Sequence, residues 1–258
     1  GLKTVIPKKK FGQNFLNDIS IANQIVSLLS VEKTKNIIEV GPGMGILTRE
    51  ILKIDHINKK FIELDKECCD YLLTNFPEIE KDLVNDNFLK FDIKKFNAPI
   101  SIIGNFPYNI SSQILFKVYE NKEIIHEMIG MFQHEVAERI CSKKGTKKYG
   151  ILSVLIQAFF SVKLLIKIKP ESFNPAPKVN SAVIKIIKYQ DKIDCDEILF
   201  KKIIKTAFNQ RRKTLKNSLK SFKKIENLKE HSIFEKRAEE LDVNDYIFLT
   251  NLLSDGNI

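Results

Sequence analysis

From residue 36 onward, short apolar runs alternate with segments whose apolar residues recur at the period of a helix. Runs at 36–40, 60–64, 83–85, 100–103 and 128–132 predict strands, and 46–53, 67–75 and 112–120 predict helices between them. This strand–helix–strand rhythm builds a doubly wound, mostly parallel sheet, so the expected class is α/β and Rossmann-like. Two more helical segments, 135–141 and 149–159, precede β-rich stretches at 161–168 and 179–187. A proline-rich loop separates those stretches, which predicts a final antiparallel pair. Beyond residue 191 the texture changes to densely charged helical periods carrying Ile198, Ile203, Ile204, Phe208 and Leu215. The expected division is a larger α/β domain over 1–189 and a small C-terminal helical domain over 190–258.

Charge changes the picture next. The 258 residues are 43% hydrophobic, enough for a real core, and carry a formal net charge of +10. Such a balance predicts a polyanionic partner, nucleic acid ahead of an anionic membrane surface. Part of the charge reflects a general richness in lysine. Cys68, Cys69, Cys141 and Cys195 show no Cys-x-x-Cys spacing and no histidine at ligand spacing. Neither a metal site nor a disulfide framework is therefore expected, and a reducing compartment is. No apolar stretch reaches the length of a membrane span, and the first seven residues lack the apolar stretch of a signal peptide. Starting at Gly1 rather than Met suggests trimming. The expectation is a soluble, cytoplasmic, monomeric protein.

The strand at 36–40 runs directly into Gly41-Pro42-Gly43-Met44-Gly45, and a helix follows. Glycines there permit a tight turn and close approach of a ligand to the backbone. Their spacing differs from the Gly-x-Gly-x-x-Gly of dinucleotide sites, and no Gly-Lys-Ser/Thr ending marks a nucleoside-triphosphate loop. Glu63 closes the next strand, about where a carboxylate grips the two hydroxyls of a ribose. Asp86 follows the strand after that, at its C-terminal edge, placed to accept a hydrogen bond from an adenine amine. Either acid alone reads as a solvated loop carboxylate. Together with the glycine loop they predict an adenosine-containing cofactor.

Asn105-Phe106-Pro107-Tyr108 follows the run at 100–103. An Asn side-chain oxygen and a backbone carbonyl, that of Phe106 or Pro107, offer two acceptors to a planar amine such as adenine N6. Two such bonds turn its lone pair out of conjugation and toward an electrophile. Tyr108 adds a ring on which a base stacks, worth about 1–3 kcal/mol. With this turn beside it, the loop spacing favours S-adenosylmethionine over a nicotinamide dinucleotide.

In these features the chain resembles the ribosomal RNA small-subunit adenine N6,N6-dimethyltransferases, the KsgA family. The resemblance rests on Lys9-Lys10-Phe11-Gly12-Gln13-Asn14-Phe15-Leu16, on the glycine loop with Glu39 and Val40 before it, and on Gly104-Asn105-Phe106-Pro107-Tyr108-Asn109-Ile110-Ser111. Two later stretches complete it, Phe173-Asn174-Pro175-Ala176-Pro177-Lys178-Val179-Asn180-Ser181-Ala182-Val183 and Ala207-Phe208-Asn209-Gln210-Arg211-Arg212-Lys213-Thr214-Leu215. It implies dimethylation of two adjacent adenosines in a 3'-terminal hairpin of small-subunit rRNA, coupled to small-subunit maturation. It also implies that Asn14 and Leu16 contact the cofactor, Gly41 and Gly43 line it, Glu63 takes the ribose and Asp86 the adenine amine. Asn105 meets cofactor and target, Pro107 completes the catalytic turn, and Tyr108 and Phe173 sandwich the extruded base. The family usually has an aliphatic residue where Phe106 stands and often Asp where Asn180 stands, which bears on local pocket shape.

The implied partner is small-subunit rRNA or the immature small ribosomal subunit. Lys8-Lys9-Lys10 and Arg211-Arg212-Lys213 are the candidate phosphate contacts. The second lies in a stretch, 201–224, with ten Lys or Arg residues and no acid. Lys143, Lys144, Lys147 and Lys148 read as a solvated face. One rival reading is a large-subunit rRNA adenine methyltransferase of the antibiotic-resistance type, against which Asn209-Gln210-Arg211-Arg212-Lys213 speaks. Another is a non-catalytic RNA-binding assembly or transcription factor of the same fold, which needs no intact Glu63, Asp86 and Asn105.

Overall fold

The computed structural model describes residues 4–254; residues 1–3, part of the amino-terminal stretch read above for a signal peptide, lie outside the described residues. The described strands are β1 (Phe15–Leu16), β2 (Asn36–Val40), β3 (Asn58–Glu63), β4 (Leu83–Asn85), β5 (Ile100–Asn105), β6 (Ile125–Gln133), β7 (Phe160–Ile168), β8 (Phe173–Asn174) and β9 (Ser181–Lys188). Seven form one sheet in the order β4-β3-β2-β5-β6-β9-β7. β4, β3, β2, β5 and β6 run parallel, and β9 enters antiparallel to β6. Helix α1 (Ile19–Ser27) precedes β2, while α2 (Ile46–Ile51), α3 (Lys66–Asn75) and α4 (Ser111–Glu120) fall between the parallel strands.

β2 is buried at all five positions. A strand covered on both faces needs a continuous apolar run rather than an alternation. β7, at the sheet's edge, alternates instead and exposes Lys163, Leu165 and Lys167, and charges on an edge discourage pairing with other chains. The carboxylates of Asp18 and Asp65 cap α1 and α3, accepting the Ile21 N–H at 3.1 Å and the Glu67 N–H at 3.0 Å. β1 and β8 pair with each other in a separate two-stranded ribbon, with Leu16 opposite Phe173. Strands of two residues leave no periodicity to read, and the sequence did not announce them.

Packing divides the chain into two compact units. One holds the residues up to Ala137 with Val162–Lys188, the other Glu138–Ser161 with the residues from Tyr189 onward. The second unit thus includes 138–161, which the sequence reading had left with the larger domain. Its helices are the second half of α5 (His134–Cys141), α6 (Ile151–Gln157), α7 (Glu197–Asn209), α8 (Leu215–Ser218), α9 (Ile225–Leu228) and α10 (Val243–Leu253). Tyr149 gives a physical reason for the grouping. It is buried, its hydroxyl donates to the Leu241 carbonyl at 2.8 Å, and its ring meets Phe208 edge-on with centroids 6.0 Å apart. No helix among the described residues is long and apolar enough to cross a membrane.

Candidate active site

The carboxyl ends of β2, β3, β4 and β5 open on one pocket, as expected for ligands of open α/β sheets. After β2 the chain turns sharply, with Gly41, Gly43 and Gly45 at φ of 67°, 61° and 84°, a region that side chains avoid. A Cβ on Gly43 would lie 3.0 Å from the Phe15 ring, whereas one on Gly41 would meet only the Asn105 carbonyl, at 4.0 Å. The open side of the loop is therefore at Gly41, which lines the pocket.

Glu63, the last residue of β3, is buried and held from two sides. Its Oε1 accepts the Gly43 N–H at 2.8 Å and its Oε2 the Asp65 N–H at 2.9 Å. Burial raises its pKa, and backbone donors of Asp65, Gly43 and Leu64 oppose the rise. A carboxylate has about four lone-pair sites, so two remain for hydroxyls. Asp86 follows β4 and lines the pocket, its carboxylate accepting the Asn87 N–H at 2.7 Å. The loop after it is tied to α4 by Lys117, whose ammonium donates to the carbonyls of Phe88 and Phe91.

Asn105 ends β5, and its Nδ2 donates to the Asn14 carbonyl at 2.8 Å. What the side chain offers a further donor is Oδ1. The Pro107 carbonyl already accepts from the Ile110 N–H at 3.2 Å and the Ser111 hydroxyl at 3.4 Å. That leaves the Phe106 carbonyl as the second acceptor of the turn. The Phe106 ring is buried against Phe132, with centroids 5.1 Å apart. It fits because Cβ atoms on Gly104 and Gly130 would fall 3.0 and 2.8 Å from it. The core thus absorbs the aromatic ring at this position. Gly130→Ala is expected to destabilise the protein by about 1–3 kcal/mol, seen as a lower midpoint in thermal melts.

The amino-terminal segment walls one side of the pocket with Lys10, Phe11, Gln13 and Asn14. Asn14 is fixed by its Nδ2, which donates to the Pro175 carbonyl at 2.8 Å. Lys8 corrects the sequence reading. Its ammonium pairs with Asp65 at 2.8 Å and Glu67 at 2.6 Å, and those bonds push its pKa upward. Gln13 joins the same clasp, donating to Asp65 at 2.8 Å and accepting the Lys8 N–H at 2.8 Å. Lys8 therefore fastens the segment rather than contacting phosphate, while Lys9 and Lys10 remain exposed.

Two other residues stand apart from their expected places. Arg211 donates to the Tyr149 carbonyl and to Glu239, both at 2.9 Å, and lies over the Phe208 ring. It is an internal tie of the helical unit, whereas Arg212 and Lys213 are exposed. Phe173 is buried in the core with Leu16, 4% exposed, and does not line the pocket. β8 pairs with β1, which sets Phe173 opposite Leu16, and both side chains are buried. Leu16 itself borders a smaller cavity beside the loop, with Gly41, Gly43 and Asn105.

Glu39, on the same small cavity, was missed as a site residue. It is 1% exposed, and the Thr48 hydroxyl donates to its Oε1 at 2.5 Å. The available signal was an acid between the apolar residues Ile38 and Val40 of a predicted strand. Burial, with the Glu63 charge adding to it, raises its pKa from 4.5 to about 8. The folded protein then holds a proton that the unfolded chain has released, so stability falls as pH rises between those two values. Glu39→Gln, neutral throughout, is expected to remove that slope in thermal melts run at about pH 5 and 8.

A parallel sheet carrying a glycine loop, an acid closing β3 and an Asn-Phe-Pro-Tyr turn at one pocket is the architecture of the Rossmann-like S-adenosylmethionine-dependent methyltransferases. Within that class, the chain belongs to the ribosomal RNA adenine dimethylase family, whose model matches residues 6–255. It is 47% identical over 259 residues to a ribosomal RNA small subunit methyltransferase A of Flavobacterium johnsoniae, covering 99% of each chain. The crystal structure of a dimethyladenosine transferase from Plasmodium falciparum superposes with a TM-score of 0.76 at 22% identity, over 91% of this chain and 95% of that one. For the 23S rRNA methyltransferase ErmE the TM-score is 0.70 at 22% identity, over 93% and 99%. Those two structures share the fold.

Proposed function

We propose that this protein transfers methyl groups from S-adenosylmethionine to N6 of adenosines in small-subunit ribosomal RNA, forming N6,N6-dimethyladenosine. The observation that carries the reading is the pair of acceptors at the end of β5. Asn105 is held by its own nitrogen so that Oδ1 is left to receive an N–H, and the Pro107 carbonyl is already taken, which leaves that of Phe106 as the second acceptor. The pocket fits the cofactor on its own evidence of shape: Gly41 leaves room at the floor, and Glu63 keeps two acceptor sites while its other two are filled by backbone donors. Glu63 would hold the ribose hydroxyls, Asp86 the adenine amine, and Glu39 with Asn14, Leu16, Gly41 and Gly43 the methionine end.

The cofactor supplies an electrophilic methyl group. The protein supplies placement. In the first transfer Asn105 Oδ1 and the Phe106 carbonyl take the two N–H bonds of N6 and aim its lone pair; in the second, the one N–H that remains goes to one of them. Pro107 sets the turn, and Tyr108 stacks on the base. The same two acceptors stabilise positive charge developing on the nitrogen, and no strong base is needed because the proton leaves after attack. A target within folded RNA has to be extruded to reach this pocket. The proposal extends to two adjacent adenosines of a 3'-terminal hairpin, on immature small subunits in the cytoplasm.

Lys9, Lys10, Arg212 and Lys213 are proposed as phosphate contacts. Changing Arg212 and Lys213 together to Ala is expected to lower the slope of log K against log salt by roughly 1.4–1.8. Arg211→Ala should leave the slope alone and lower the melting midpoint. The reaction itself is tested by incubating the protein with tritiated S-adenosylmethionine and, in parallel, small and large subunits lacking the modification, then analysing nucleosides. Label in dimethyladenosine of small-subunit rRNA supports the reading, and label confined to large-subunit rRNA defeats it.

A further inference from the structure

Stacking asks only for an aromatic ring at position 108, and phenylalanine would supply one. The tyrosine hydroxyl needs its own account. It shares a hydrogen bond with Oγ of Ser181, 2.5 Å away. Ser181 is fully buried and opens β9, where it pairs with Gln133 of β6. The carbonyl of its neighbour Asn180 takes the His134 N–H at 2.9 Å. Its backbone is thus fixed in the sheet at the carboxyl end of β6, the end at which the turn after β5 also lies.

Tyr108 lies outside the sheet, its carbonyl accepting the Ser111 hydroxyl at 3.2 Å. It is half-buried and begins a single 3-10 turn after Pro107. A ring attached there only at Cβ swings about χ1. A hydrogen bond at its para oxygen fixes the far end and with it the ring's axis. The bond also satisfies the Ser181 hydroxyl, which as a buried polar group requires a partner.

We propose that Ser181 is a positioning residue for methyl transfer, its hydroxyl holding the Tyr108 ring where the target base stacks. This rests on the reading of Tyr108 as the base-stacking residue given above. Small displacements of a positioned reactant are costly in rate, so loss of the tether acts on turnover rather than on binding of either substrate. A purely structural bond would change the melting midpoint and leave kcat alone.

The test compares Ser181→Ala, Tyr108→Phe and the double variant on unmodified small subunits, with cofactor and RNA saturating. Each single change is expected to lower kcat about five- to tenfold, the worth of one hydrogen bond, with both KM values unchanged. The double variant should fall no further, because all three lack the same bond. Ser181→Thr, which keeps the hydroxyl, should recover most of the rate. A second readout needs no RNA: in protein carrying 13C-labelled tyrosine, the Tyr108 hydroxyl proton should exchange slowly and its signal vanish in Ser181→Ala. If that signal vanishes while kcat is unchanged, or if the two single effects multiply, the proposal is overturned and the assigned reaction stands. If the wild-type protein transfers no methyl group at all, the reaction assignment falls and takes the proposal with it, a failure recognised because every variant is equally silent.

Discussion

Asn105→Ala is expected to lower kcat by about 10²–10³ while RNA affinity stays nearly unchanged. The substitution deletes Oδ1, one of the two acceptors proposed to aim the N6 lone pair, and touches none of the exposed lysines or arginines. It also deletes the bond from Nδ2 to the Asn14 carbonyl, so KM for the cofactor should rise as the amino-terminal wall loosens. Asn105→Asp separates the two effects. It retains an acceptor but loses the donor to Asn14, and is expected to keep more turnover than Ala with a similar rise in cofactor KM. Filter binding of RNA and single-turnover kinetics check both statements. Parallel losses of RNA binding and turnover would contradict the assigned role.

Glu63→Ala is expected to weaken cofactor binding by on the order of 100-fold, measured by calorimetry. Two contributions combine. The ribose would lose the carboxylate proposed to hold it, and the N–H groups of Gly43 and Asp65 lose the acceptor they share. A buried donor left unpaired costs about 1–3 kcal/mol, so the glycine loop itself should rearrange and the melting midpoint fall. Glu63→Gln is expected to fare little better. Its amide nitrogen would have to face one of the two backbone donors, and a donor cannot satisfy a donor.

Much of this site was legible before any fold was known. Gly41 and Gly43 announced a close backbone approach, Glu63 and Asp86 closed predicted strands, and Asn105 stood at the end of a buried run. Those features are local, and local chemistry survives in sequence. What was not legible depends on long-range pairing. Nothing near Lys8 says that Asp65 and Glu67 will face it, so a basic run read as a phosphate contact where the structure shows a clasp. Arg211 looked like its neighbours Arg212 and Lys213, yet it is tied to Tyr149 and Glu239. Phe173 was placed by motif, and only the fold, with β8 paired to β1, shows that its side chain is buried. Glu39 was visible as an acid between two apolar residues, but its neighbours on the cavity come from three separate segments.

The most direct measurement is a crystal structure of the protein with an RNA hairpin and an unreactive cofactor analogue, in which the distances from adenine N6 are read. The account predicts N6 at about 3 Å from both Asn105 Oδ1 and the Phe106 carbonyl oxygen, with the base against the Tyr108 ring. A target base bound in the pocket with the Asn105 carboxamide turned away from it would contradict the account.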